Sequence, residues 1–230
     1  MLLTPSKHPR RPAKLSERIY ESLKRDIIDC RFGPGELLEE SVVTERYRVG
    51  RTPFREACHK LAGDGLVQII PHRGTFVIAL TSSSVNDLFE LRRVVEPRVA
   101  ELASQRRNPS ALKTLQARLS ASQDAARLTQ LQLARVDKRF HVELSRLTNN
   151  ADLTDVVERL HEKLVRLVAY ISLARPDRYP LLTHHPAILF AVQEGSAREA
   201  RNAMERDISE TLRWIQGFVL HKRILGAKKD

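Results

Sequence analysis

Apolar residues recur along this chain with two periods, and the change of period divides it. Leu15, Ile19, Leu23 and Ile27 return every four residues and line one helix face, with Ser16 as the expected N-cap and an end near Cys30. "GPGELLEE" from Gly33 supplies a turn, because two glycines around a proline oppose helix continuation. A short helix is predicted over about 40–47 and a third over about 51–62. In the third, Phe54, Ala57, Cys58 and Leu61 fall at i, i+3, i+4 and i+7. Gly63-Asp64-Gly65 stops it. "LVQII" and "GTFVIAL" then read as strands joined by Pro71-His72-Arg73-Gly74, a short hairpin signal. Three short helices and a hairpin make a winged helix-turn-helix over 15–80.

From Ser82 the pattern is helical throughout. "SSSVNDLFELRRVVEPRVAELASQ" opens on serines of capping type and predicts one long helix, with a kink at Pro97. Helices over about 110–127, 129–147, 151–174, 184–194 and 197–220 follow. The breaks fall at Asn108-Pro109-Ser110, Asn149-Asn150, Arg175-Pro176 and Gly195-Ser196. This is an all-α antiparallel helical bundle over 82–220. The expected fold class is therefore mainly α, an N-terminal winged helix-turn-helix domain plus a C-terminal bundle, with the boundary near Leu80 to Ser84. Residues 1–14 read as a disordered basic arm, which either touches phosphates or only solvates the terminus. Residues 221–230 read as a frayed basic tail.

Charge narrows the partners. The 230 residues carry a formal net charge of +11, which favours a polyanionic partner or at least a cationic surface. The two cysteines, Cys30 and Cys58, form neither a C-x-x-C pair nor zinc-finger spacing. They are expected to be small buried apolar residues in a reducing cytoplasm. No run approaches the ~20 apolar residues of a membrane span, and the N-terminus lacks the apolar core of a signal peptide.

The chemistry concentrates first in "RTPFREACHK". A helix enters the major groove with its N-terminal residues on base edges, and its free N–H groups face phosphates. Arg51 and Arg55 lie one turn apart and point the same way, and arginine reads guanine through O6 and N7. Thr52 can bond a phosphate or a base, and Pro53 sits where its missing N–H costs nothing. Glu56 is a candidate to neutralise or hold an arginine. At the hairpin tip, His72 and Arg73 add a basic turn, and Gly74 permits the tight bend. A second candidate is the pair Asp137 and His141, four apart on one helix face. Such a pair can grip a cation or merely decorate a surface.

These strings resemble a known family. "GPGELLEE…YRVGRTPFREACHKLAGDGLVQIIPHRGTFV" resembles the GntR family of bacterial transcription regulators. "LFELRRVVEPRVAELA", "VDKRFHVELSRLTNN" and "HHPAILFAVQEGSAREARNAME" resemble its FadR-type effector domain, the FCD domain. The resemblance implies a homodimeric repressor that binds a pseudo-palindromic double-stranded DNA operator and responds to a small organic acid effector. It places Arg51, Thr52, Arg55, Arg73 and Gly74 at the DNA. It also implies a divalent metal (zinc, manganese, iron or nickel) at Asp137, His141, His185 and Asp207, with Asp207 standing where the family has histidine. Arg92 would face the effector, or else pair with Glu96 at i, i+4. Arg93 points elsewhere, and His184 either supports a neighbouring metal ligand or caps a helix. Three departures matter: Gly50 replaces a usual capping serine, Arg48 replaces a usual glycine, and Ser41 stands where some relatives place a DNA-contacting arginine. The competing expectations are a metal-dependent enzyme acting on a small acid and an architectural or RNA-binding protein. Against the last, the chain offers few stacking aromatics.

Overall fold

The computed structural model describes residues 15–121, 127–174 and 182–221. The basic arm, most of the basic tail, the far end of the predicted 110–127 helix and the Arg175-Pro176 break lie outside the described residues. Two compact units form. Of the described residues, one takes 15–27 and 35–78, and the other takes 28–34 and those from 79 on.

The first unit contains α1 (Leu15–Ile28), α2 (Glu40–Tyr47), α3 (Arg51–Gly63) and a hairpin of β1 (Val67–Ile70) with β2 (Gly74–Val77). Ile19, Leu23 and Ile27 of α1 are buried, whereas Leu15 is 47% exposed and leaves the stripe predicted for it. Ser16 lies inside α1 and is itself buried, so it is not the N-cap. The α3 face of Phe54, Ala57, Cys58 and Leu61 is buried as its spacing requires. β1 and β2 pair antiparallel with Val67 opposite Val77 and Ile70 opposite Gly74. The glycine-rich segment does more than turn. Gly35 N–H donates to Val77 O, Leu38 N–H to Thr75 O, and Val77 N–H to Glu36 O, so residues 35–38 run beside β2 and cover its edge.

In the second unit α4 (Ser82–Gln105), α5 (Pro109–Ala121), α6 (Gln130–Arg146), α7 (Ala151–Ala174), α8 (His185–Glu194) and α9 (Ala197–His221) enclose a continuous apolar core. The cap of α4 is Thr81, one residue before the serine run. It forms a reciprocal box with Ser84. Thr129 and Gln132 repeat that device at α6. α4 continues through Pro97. Among the described residues no helix is long and apolar enough to cross a membrane.

Candidate nucleic-acid interface and metal centre

The helix-turn-helix is pinned from beneath. Asp26 of α1 is buried and accepts from Arg46 Nη2 at 3.1 Å and from the Tyr47 hydroxyl, which ties α2 to α1. Arg48 then ends α2 in the left-handed region, at φ +52. Gly50 is the N-cap of α3 with no side-chain cap bond, as its missing side chain dictates.

Ser41, Arg51, Thr52 and Arg55 are all exposed, as are His72, Arg73 and Gly74 at the hairpin tip. The two arginines are held by one carboxylate. Arg51 Nε lies 3.1 Å from Glu40 Oε1, and Arg55 Nε lies 2.9 Å from Glu40 Oε2. The holding acid is thus Glu40 on α2, across the turn, and not Glu56. Each guanidinium meets Glu40 through its Nε, and the side chains remain 81% and 66% exposed. At the wing, His72 adopts φ +60 and Gly74 φ +115. A Cβ at Gly74 would stand 2.8 Å from Leu37 Cδ1, so glycine is needed there for both backbone and space.

Cys58 is buried and Cys30 only half-buried, at φ +56, which departs from the expectation for Cys30. Burial pushes both thiols up to about 11, so both remain protonated near neutrality.

The second site is a polar cluster inside the helical unit. Arg92, Glu96, Asp137, His141, His161, His185 and Asp207 are each at most 2% exposed. α4, α6, α7, α8 and α9 all contribute. The ligand atoms of Asp137, His141 and His185 all lie within 4.8 Å of one another. His185 Nε2 is hydrogen-bonded to Asp137 Oδ1 at 3.1 Å, and His141 Nε2 stands 3.7 Å from the same oxygen. Asp207 Oδ2 stands 3.6 Å from His141 Nε2 and 3.8 Å from Arg92 Nη2, at the edge of this set. Phe140 stacks on the His185 ring at 4.0 Å and fixes its plane.

Sequence reasoning missed two members, His161 and the central role of Glu96. His161 follows Leu160 and precedes Leu164 and Val168 on the buried face of α7, so a histidine inside an apolar stripe was the available signal. Arg92 does pair with Glu96, Nε to Oε1 at 2.6 Å, but the pair is fully buried and belongs to the cluster. His184 occupies the N-cap of α8 without a side-chain cap bond, and Arg93 is exposed.

The electrostatics are those of a closed charge network. Burial alone would raise the Glu96 carboxyl, but the charges of Arg92, His161 and His141 outweigh it and hold it well below the carboxylate range. Asp137 is likewise held low against burial, first by the charge of His141 and further by the His161 and His185 imidazoles beside it. Burial would lower His141, yet Glu96 and Asp137 push it up to about 10. Several atoms still lack an aligned hydrogen-bond partner: both nitrogens of His141, Nδ1 of His161 and His185, Asp137 Oδ2, Asp207 Oδ2 and both terminal nitrogens of Arg92. Buried polar groups are normally satisfied. Carboxylate and imidazole donors left unsatisfied about one point fit a divalent ion such as zinc, manganese, iron or nickel.

A winged helix-turn-helix joined to an all-α unit with a buried acid–histidine centre defines a DNA-binding transcription regulator. Comparison with known proteins agrees. Residues 15–77 match the family described as bacterial regulatory proteins, gntR family, and residues 87–210 match the FCD domain. The HTH-type transcriptional repressor RspR of Escherichia coli (strain K12) is 31% identical over 215 residues, covering 91% of this chain and 92% of that protein. Two solved structures share the fold. E. coli McbR/YncC has a TM-score of 0.72 at 17% identity, covering 90% of this chain and 99% of its own. A GntR regulator from Rhodococcus sp. RHA1 has a TM-score of 0.71 at 23% identity, covering 88% and 97%. The chain belongs to the GntR family of bacterial transcription regulators and carries an FCD effector domain.

Proposed function

We propose that this regulator is a homodimeric repressor that binds a pseudo-palindromic operator and is controlled by a small organic acid. The observation that carries the DNA half is the Glu40-held pair Arg51 and Arg55 at the exposed start of α3. Arg51, Thr52 and Arg55 read the major groove, Ser41 on α2 contacts the DNA as well, and His72, Arg73 and Gly74 meet the adjacent groove or backbone. The repressor sign draws support from RspR. Leu91 and Val94, 46% and 69% exposed on α4, offer an apolar face for a second copy. Two free cysteines and a duplex partner suit the cytoplasm.

In the helical unit, Asp137, His141, His185 and Asp207 would hold the divalent ion, which supplies Lewis acidity toward an effector oxygen when bound. The terminal nitrogens of Arg92, without an aligned hydrogen bond though Nη2 stands 3.8 Å from Asp207, would offer an effector carboxylate a bidentate match. Effector and DNA affinities are coupled only if the effector prefers one state, by typically about 1–3 kcal/mol.

The test is to incubate the purified protein with fragmented DNA from its source genome near physiological salt and to sequence what is retained. A few enriched sites sharing an inverted repeat are expected, and the neighbouring genes then nominate acids to add. Retention with no enriched sequence would leave only the salt-sensitive backbone attraction and would sink the operator reading.

A further inference from the structure

We infer that Glu96 is a positioning residue for the metal centre: fixed between Arg92 and His161, it turns His141 so that Nε2 is the nitrogen presented to the ion. This rests on the metal reading above and goes beyond it, since neither Glu96 nor His161 belongs to the four expected ligands.

Glu96 is anchored at both oxygens. Oε1 accepts from Arg92 Nε at 2.6 Å, and Oε2 meets His161 Nε2 at 3.1 Å. That same Oε2 stands 2.8 Å from His141 Nδ1. That contact is close but not an aligned hydrogen bond; with Nδ1 against Glu96, Nε2 stands on the opposite side of the ring, toward Asp137 Oδ1 at 3.7 Å and Asp207 Oδ2 at 3.6 Å. His161 performs a second tie. Its Nδ1 lies 3.3 Å from Asp137 Oδ2, while Asp137 Oδ1 takes His185. The His141 and His161 rings stack at 4.2 Å, which limits rotation of either. Arg92, Glu96 and His161 thus reach three expected ligands, Asp207, His141 and Asp137 respectively, without joining them.

A ligand role for Glu96 itself is less consistent with its surroundings. Glu96, His141 and His161 do gather three donors within 4.8 Å. But an ion there would sit against the Arg92 guanidinium, which already claims Glu96, and would take the nitrogen of His141 that faces away from Asp137 and Asp207. A carboxylate behind a ligating imidazole fixes its tautomer and strengthens it as a donor, and removing such a partner typically costs about 10–100-fold in metal affinity.

The experiment uses the full chain, stripped with a chelator and titrated with cobalt(II) alone, with affinity read by competition against a chelating dye and the ligand set by the visible spectrum. Glu96→Gln is the informative variant. Arg92 retains the amide oxygen, so the amide NH2 faces His141 Nδ1 and favours the tautomer with its proton on Nε2. Affinity is expected to fall about 10–100-fold with the shape of the cobalt spectrum unchanged. His161→Gln is expected to weaken binding with the same spectrum. Because Glu96→Gln leaves Arg92 with a neutral partner and can fail to fold, the wild-type protein supplies an independent reading. With zinc(II) bound, ¹⁵N spectra of its histidines should show His141 protonated at Nδ1 and metallated at Nε2. Metallation at Nδ1, unchanged affinity in Glu96→Gln, or an altered spectrum in either variant would overturn the inference while leaving the metal reading intact. A wild-type protein that binds no cobalt would overturn both.

Discussion

Replacing Glu40 by glutamine separates holding the reading arginines from merely neutralising them. Arg51 and Arg55 side chains are 81% and 66% exposed, and Glu40 is 30% exposed. Exposed ion pairs contribute about 0–1 kcal/mol each, so losing both changes stability by at most about 2 kcal/mol and leaves the unit folded. The effect on DNA has two parts of opposite sign. Loss of a carboxylate next to the duplex removes repulsion and frees two cations for any phosphate. A gain of about 0.5–1.4 kcal/mol tightens non-specific binding roughly 2–10-fold. One extra phosphate contact would steepen the log–log salt slope by about one. On the operator, the freed side chains must be ordered again, at about 0.5–1.5 kcal/mol each, before they meet guanine. For two arginines this meets or exceeds the gain, and the operator-to-scrambled affinity ratio is expected to fall by at least about 5-fold. Fluorescence anisotropy with both duplexes across a salt series reads every quantity. A ratio that stays constant or rises in Glu40→Gln would refute the idea that Glu40 pre-orients the reading arginines.

Three glycine-related changes test the scaffold of the same unit, each by urea unfolding. Gly74→Ala should cost about 1–2 kcal/mol, because φ +115 is unfavourable to a side chain and its Cβ meets Leu37 Cδ1. Trimming Leu37 as well should recover only the steric part. Gly50→Ser should add a few tenths of a kcal/mol from the restored cap, since the new Cβ meets only Pro53 Cδ at 3.8 Å. Arg48→Gly should stabilise by about 0.5–1 kcal/mol by relieving the left-handed residue, because the backbone bonds of Arg48 and Val49 to Glu45 O and Thr44 O are kept. It should also weaken DNA binding through the lost charge, so stability and affinity move in opposite directions.

The elements of the winged unit were legible because each has a local cause. The α3 stripe of Phe54, Ala57, Cys58 and Leu61 and the glycines around Asp64 specify a helix and its stop without reference to the rest of the chain. What was not legible depended on packing between distant segments. Residues 35–38 pair with β2 through backbone groups that no side-chain pattern advertises. Glu40 reaches the arginines across a turn, where spacing within one helix pointed to Glu56. Leu15 falls off its own stripe because periodicity gives a face but not where the core beneath that face ends.

The buried cluster shows the same limit and also explains why it stands out. Asp137 and His141 share a helix and could be paired by spacing, and resemblance added His185 and Asp207. Glu96 and His161 sit among apolar neighbours, where a polar residue reads as a lone exception. Their meaning appears only when α4, α6 and α7 bring them to the same atoms. Burying three carboxylates with one arginine and three imidazoles is costly, and apolar residues of similar volume often serve stability equally well or better. Around the cluster, Phe89, Leu144, Leu164, Ile188 and Met204 show that the bundle can be packed with apolar residues. A network so costly, with several atoms still unaligned, is better explained by something it binds than by the fold it sits in. The charge pattern sharpens this. Glu96 is answered by Arg92 at 2.6 Å, whereas Asp137 faces imidazoles and Asp207 meets the Arg92 guanidinium only at 3.8 Å, beyond hydrogen-bond reach. The negative charge left to be balanced therefore lies on the side of His141 where the expected ligands converge.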